Sequence, residues 1–259
     1  MLKVNGKQFI SEYFPDGTLR LKLEEKSRHA DIEWLYENNE EMIVLYFITN
    51  HLRRVNKVKT LNLIMPYIPN ARMDRVKKSH EVFTLKYFIE FINSLKFENV
   101  YVRDAHSNVS LALIDNVVSE DITSKIKKLA DDLLKDDDIV FFPDEGSCKR
   151  YFDIINKKCA FGIKKRDWRT GEIQGLDING DIPKVPFNAL IIDDICSYGG
   201  TFYYSAKKLK ELGADKIWLY ITHCEDSVLK GDLIKSGLVE KIYTTKSILT
   251  IKHDLIEEI

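Results

Sequence analysis

The chain has little that would mark it for a membrane or for the outside of a cell. Its 259 residues include only four cysteines (Cys148, Cys159, Cys196 and Cys224), and no two of them stand in a C-x-x-C spacing. That argues for reduced thiols in a cytoplasmic protein rather than a disulfide scaffold. No apolar run approaches the ~18 residues of a membrane span; the longest patch, Met42 to Ile48, is too short. The opening residues, MLKVNGKQF, lack the apolar centre of a signal peptide. An excess of one charge is missing too: 39 Lys and Arg against 40 Asp and Glu leave a net charge of −1. No basic field therefore calls for nucleic acid. What remains is a chain able to bury a sizeable core in one large or two modest domains.

The most informative stretch is Ala189 to Thr201, ALIIDDICSYGGT. Ala189 to Ile192 reads as a buried strand, being short, apolar and unbroken. Asp193 and Asp194 stand where that strand is expected to end. Gly199 and Gly200 then tighten the chain into a helix with Phe202, Ala206, Leu209 and Leu212 at helical spacing, closed by Gly213, and Lys216 to Thr222 reads as the next strand. The unit is βαβ, with its loop at the carboxyl edge of a sheet, where open α/β sheets bind ligands. Glycines and the free N–H groups of a helix start cradle an anion, and Thr201 adds a hydroxyl. Two acids beside such a cradle would repel phosphate unless they face sugar hydroxyls or Mg²⁺. The combination points to a phosphorylated sugar. A plain glycine turn flanked by two solvated acids is the bland alternative.

Strands and helices alternate along the rest of the chain, as in doubly wound parallel sheets. In the first half we expect a helix over 40–54, with Ile43, Tyr46, Phe47 and Leu52 apolar, strands over 60–65 and 99–103, and a helix over 83–95. The second half should carry strands over 139–142 and 161–163, a helix over 148–157, and an edge strand over 240–244. The charged run around Lys135 to Asp138 marks a boundary near residue 135, giving domains 1–135 and 136–259. Between Lys164 and Phe187 lies a segment read as a long loop, with Lys164, Lys165, Arg166 and Arg169. A loop of more than ~15 residues without structure of its own is usually functional or disordered, and lids that bring cations to a reacting phosphate look like this.

The diacid–glycine stretch resembles the phosphoribosyl-pyrophosphate motif of type I phosphoribosyltransferases and of ribose-phosphate diphosphokinases. Further segments favour the diphosphokinases. Pro66 to Arg75, PYIPNARMDR, resembles their nucleotide-binding stretch; Asp104 to Ser107, DAHS, their D-L-H-S metal site; Pro143 to Arg150, PDEGSCKR, their P-D-x-G-x-x-K-R segment. Phe14 to Gly17, FPDG, resembles the adenine-contacting turn, and Cys159 to Arg166, CAFGIKKR, the strand carrying a catalytic Lys-x-Arg. The matches fall in family order and cover most of the chain. The resemblance implies an α/β fold of two tandem type I phosphoribosyltransferase-type domains with mainly parallel sheets, the first on the ATP side and the second on the ribose-phosphate side.

It also implies an activity: transfer of the β,γ-diphosphate of ATP to the anomeric hydroxyl of ribose 5-phosphate, releasing AMP. Lys164 and Arg166 would be catalytic. Phe14, Asp16, Arg72, Asp74, Arg75 and His106 would bind ATP, and His106 and Asp144 would position Mg²⁺. Asp193 and Asp194 would take the ribose hydroxyls, with Ser197, Tyr198, Gly199, Gly200 and Thr201 around the 5-phosphate. Because Phe14 and Asp16 serve a neighbouring subunit in that family, a homo-oligomer, dimer or hexamer, is implied.

The chain departs from the family at several of these places. Ser197-Tyr198 replaces the usual Asp-Thr before Gly-Gly-Thr, Met73 a Gln, Asn70 a Tyr and Thr18 an acid; Val109 and Leu111 stand for glutamines. A large ring in the phosphate loop opens a second acceptor, a 5-diphospho compound such as ADP-ribose, stacking on Tyr198. A phosphoribosyltransferase and a non-catalytic regulatory subunit are the remaining readings. The retained Lys164 and Arg166 count against both.

Overall fold

The structure is a computed structural model that describes residues 1–166 and 173–259; at 164–166 and 173–175 only the backbone is considered. The chain divides between Glu120 and Asp121 into two compact units.

The first unit begins with short strands β1 (Leu2–Val4), β2 (Lys7–Phe9), β3 (Glu12–Tyr13), β4 (Leu19–Arg20) and β5 (His29–Trp34). Helix α1 (Glu41–Arg54), β6 (Thr60–Ile64), α2 (Thr84–Ser94), β7 (Val100–Arg103), α3 (Asn108–Leu113) and β8 (Val117–Glu120) follow. The six-stranded sheet runs β2-β1-β5-β6-β7-β8. Strands β5 to β8 are parallel, and β1 and β2 add an antiparallel margin. Trp34 is fully buried, and its indole N–H is satisfied by Glu41 at 2.9 Å. Helix α1 covers the sheet with Val44, Leu45, Ile48 and Leu52, whereas Ile43, Tyr46 and Phe47 point outward. Of the four apolar residues singled out in that helix only Leu52 is core, because the run MIVLYFI is apolar on both faces and periodicity alone does not choose between them.

The second unit contains α4 (Thr123–Leu133), β9 (Ile139–Phe142), α5 (Glu145–Tyr151) with a 3₁₀ turn after it, β10 (Cys159–Arg166) and β11 (Ile173–Gly180). Then come β12 (Phe187–Cys196), α6 (Gly200–Glu211), β13 (Ala214–Cys224), α7 (Asp232–Lys235), β14 (Lys241–Thr244) and β15 (Ile256–Glu258). The seven-stranded sheet has the order β11-β10-β9-β12-β13-β14-β15 and is parallel except for β11. Both faces are covered. Alternate residues of β12 enter different cores: Ala189 and Ile191 pack with α6, Leu190 and Ile192 with α4 and Tyr151 of α5. This two-sided burial explains the near-continuous apolar run.

Four expectations change. The units divide earlier than residue 135, since Ile122, Ile126, Leu129 and Ala130 bury against Val140 and Phe142 and so tie α4 to the second unit. Within the charged run, Asp138 is buried and accepts the backbone N–H groups of Asn188 (2.7 Å) and Lys135 (2.8 Å). The segment after Ile163 is not a structureless loop, because β10 continues through Arg166 and pairs antiparallel with β11. Arg169 lies outside the described residues. Strand β14 is not the edge, as β15 pairs beyond it. Finally, β12 runs on to Cys196, so Asp193 and Asp194 sit within its last turn of pleat rather than beyond its end.

Candidate functional site

In the second unit the diacid, the glycine loop and the end of β10 share one sheet edge. Ile191 of β12 is in register with Phe141 of β9, and Phe141 with Ala160 of β10. Counting on from that rung, Asp194, Asp144 and Ile163 reach a common level, with Lys164 next along. The backbones of Lys164 and Arg166 therefore leave the sheet on the side where β12 delivers its carboxylates. Only β9 lies between the two strands.

Asp194 is buried, and its Oδ2 accepts from Arg150 of α5 at 3.1 Å. Asp193 is half-buried and accepts the N–H of Asp194 at 3.0 Å. Burial, then the neighbouring carboxylates of Asp194 and Asp144, push the Asp193 carboxyl well above the ordinary range. Asp144 caps α5 in a reciprocal arrangement with Ser147, whose N–H it receives at 3.1 Å. That capping box starts the helix ahead of Cys148, where apolar spacing alone had begun it, and the helix ends at Tyr151 rather than Lys157.

After β12 the chain makes the expected turn. Gly199 adopts φ +79°, a left-handed conformation that favours glycine, and an added Cβ would press on Leu233 at 2.9 Å. Gly200 opens α6, and apart from its chain neighbours and its own helix no atom of the described residues lies within 4 Å of where a Cβ would stand. The Tyr198 backbone is held against Gly231: a Cβ on Gly231 would overlap the Tyr198 carbonyl oxygen and lie 2.8 Å from its carbon. The residue as a whole is nevertheless 60 % exposed. Ser197 and Thr201 flank this cradle half-buried.

In the first unit, loops following β6 and β7 bring a second set together. Asp74 is buried, receives both a 2.7 Å and a 2.9 Å bond from the adjacent Arg75 guanidinium, and is also hydrogen-bonded by Ser107. These bonds, Arg75 foremost, with the nearby His106, hold its carboxyl below the ordinary range. Arg72 and Arg75 are exposed. Asn70 turns the chain at φ +63°, a conformation asparagine tolerates better than most residues. The FPDG turn joins β3 and β4: Asp16 accepts from the N–H (2.9 Å) and hydroxyl (2.7 Å) of Thr18, and the exposed Phe14 ring faces the Arg20 guanidinium at 5.7 Å. Sequence reasoning gave Thr18 no such role, nor Arg150 any role. Arg150 was visible only as the end of the P-D-x-G-x-x-K-R segment.

Among the described residues no three His, Cys, Asp or Glu side chains cluster as a protein-only cation cage. Mg²⁺ does not require one, since it commonly keeps waters and takes one or two carboxylates along with substrate phosphates. The half-exposed carboxylate of Asp144, close enough to Asp193 to act on its titration, suits that mode.

Comparison with known proteins bears on this arrangement. The chain is 29% identical over 215 residues to a ribose-phosphate pyrophosphokinase of Pyrococcus furiosus, covering 81% of this chain and 75% of that protein. It is 28% identical over 258 residues to ribose-phosphate pyrophosphokinase 1 of Listeria monocytogenes, covering 94% and 78%. The chain is a relative of the ribose-phosphate pyrophosphokinases. No family model matches it. A crystal structure of phosphoribosylpyrophosphate synthetase from Mycobacterium smegmatis superposes with a TM-score of 0.81 at 16% identity, covering 97% of this chain and 85% of that one. The fold expected from the resemblance, tandem α/β units with mainly parallel sheets, is therefore the fold observed.

Proposed function

We propose that the protein transfers the diphosphate of ATP to the anomeric hydroxyl of ribose 5-phosphate, releasing AMP. The observation that carries the reading is the shared sheet edge: a cationic strand end, a carboxylate pair and an open glycine cradle within one unit, in a relative of enzymes named for this reaction. In the reaction the sugar oxygen bonds to the β-phosphorus, the bond from that phosphorus to the α-phosphate oxygen breaks, and the hydroxyl proton is lost. Such a displacement needs alignment and charge dispersal more than covalent help.

Gly199, Gly200 and Thr201 would bind the 5-phosphate through N–H and hydroxyl donors. Asp194, oriented by Arg150, and Asp193 would accept from the ribose hydroxyls and fix the attacking oxygen. Lys164 and Arg166 would neutralise the transferring group, arginine being suited to two-point phosphate contact. Arg72, Arg75 and His106 would meet the ATP phosphates, with Asp74 orienting Arg75, and Phe14 and Asp16 would close on adenine. Asp144 in the second unit, and separately His106 in the first, would be available to Mg²⁺ directly or through water, and the ion would supply charge neutralisation at the phosphates. A homo-oligomer working in the cytoplasm accords with this reading. The structure has no helix long and apolar enough to cross a membrane among its described residues.

One observation favours a second acceptor. The Tyr198 side chain is exposed while its backbone is wedged against Gly231, so it offers an aromatic face beside the cradle. ADP-ribose, with a second phosphate and a base, would use that face. Incubation with ATP, Mg²⁺ and either ribose 5-phosphate or ADP-ribose, followed by AMP measurement, decides between them. Release of AMP with neither acceptor would overturn the kinase reading.

A further inference from the structure

We propose that Arg150 is a positioning residue for sugar recognition, acting through Asp194. The proposal rests on the sugar-phosphate reading of the diacid loop and adds to it a side chain from a different element. Arg150 sits on the last turn of α5, and its guanidinium reaches across to β12 to donate to Asp194 Oδ2 at 3.1 Å. The same guanidinium carbon lies 5.8 Å from the centre of the Tyr151 ring. Tyr151 is itself 1% exposed and stacked on Phe142 of β9 at 6.5 Å. Arg150 is thus held between a core aromatic and a carboxylate, with 26% of its side chain exposed.

The physical need is clear from the surroundings of Asp194. Its carboxylate is 8% exposed, follows Asp193 directly in the chain, and shares the sheet edge with Asp144. A buried carboxylate is kept charged only by a hydrogen-bonded partner, and removing that partner leaves the charge uncompensated. Asp193 and Asp194 also follow opposite faces of β12, the face packed on α6 and the face packed on α4 and α5 respectively. Arg150 meets Asp194 on the face of β12 that packs on α4 and α5. Asp194 becomes the fixed acceptor for a sugar hydroxyl, its orientation set by the guanidinium. Sequence adjacency makes the two acids look equivalent; the arginine makes them different.

The test is a double-mutant cycle on the full chain, read by calorimetric binding of ribose 5-phosphate, which needs no turnover. Arg150→Gln should weaken binding about ten- to a hundredfold, the range for a charge-assisted hydrogen bond, with ATP affinity unchanged. Arg150→Lys should restore most of the loss. Arg150→Gln combined with Asp194→Asn should bind no more weakly than Asp194→Asn alone, because both act on one acceptor. The double variant also removes the unpaired buried charge, so it remains folded if the single one is destabilised. Losses that multiply in the double variant, or unchanged binding in Arg150→Gln, would overturn the role while leaving the sugar-phosphate reading intact. Failure of the wild-type protein to bind ribose 5-phosphate or ADP-ribose would overturn that reading and this role together.

Discussion

Gly231 is far in sequence from the phosphate loop, yet replacing it should disable that loop. Its backbone angles, φ −86° and ψ 171°, suit any residue, so Gly231→Ala carries no conformational penalty of its own. The effect is purely steric. The new methyl would overlap the Tyr198 carbonyl oxygen and stand 2.8 Å from the carbonyl carbon, well inside van der Waals contact. Relief requires the Tyr198 peptide, or the Gly231 segment, to retreat by about 1 Å, and overpacking of this kind costs roughly 1–3 kcal/mol. A misplacement of about 1 Å in a positioned group costs on the order of a hundredfold in rate. We therefore expect Gly231→Ala to raise KM for the sugar phosphate and cut kcat/KM about a hundredfold, with Tm lowered by a few degrees. Gly200→Ala is the matched comparison: among the described residues nothing beyond its own helix and chain neighbours lies within 4 Å of its Cβ, so stability should hold while a bound phosphate is obstructed. Steady-state AMP release and thermal melting read both variants. Full activity in Gly231→Ala would refute the coupling between Gly231 and the cradle, and full activity in Gly200→Ala would refute the cradle itself.

Lys164→Ala should lower turnover about a hundredfold or more without changing Tm, since it removes charge stabilisation from the reacting phosphate; unchanged AMP release would take the β10 end out of the mechanism. Asp193 binds its proton more tightly when folded, so the native protein carries more protons than the unfolded chain, and stability falls as pH rises above the ordinary carboxylate range toward the raised value. Asp193→Asn should therefore match the wild type at pH 3 in urea titrations and exceed it at pH 7 by about 1 kcal/mol, a usual gain at strained functional positions, while losing activity; a variant no more stable at pH 7 would contradict the strain. Asp144→Asn keeps an efficient helix cap, so stability should move by only a few tenths of a kcal/mol, roughly, whereas the Mg²⁺ concentration for half-maximal AMP release should rise; an unaltered Mg²⁺ response would confine Asp144 to capping.

The sequence spoke most plainly where one physical constraint dominated. The buried parallel strand Ala189 to Ile192 shows as an apolar run because both sheet faces are covered, whereas Thr60 to Ile64 shows as an alternation with Leu61 and Leu63 buried. The glycine turn shows because Gly199 needs a positive φ. Helix α1 was found, but not its orientation, since Ile43, Tyr46 and Phe47 are as apolar as the residues that face the core. Asp138 reads as a solvated charge yet satisfies backbone donors across the sheet, a tertiary fact with no local signature. Strand β11 was missed because IQGLDING has weak alternation and derives its order from pairing with β10. Arg150 was missed for the same kind of reason. Its partner lies forty-four positions away, and only the packing of α5 over β12 brings them together.

The margins of the larger sheet carry one more implication. Its outermost strands, β11 and β15, end the ladder with exposed acids, Asp177 on one side and Glu257 and Glu258 on the other. Unpaired strand margins invite a stranger's backbone, and charged side chains standing on them turn it away. Continuous ribbons of this protein, built by adding one molecule's outermost strand to another's, are thereby disfavoured.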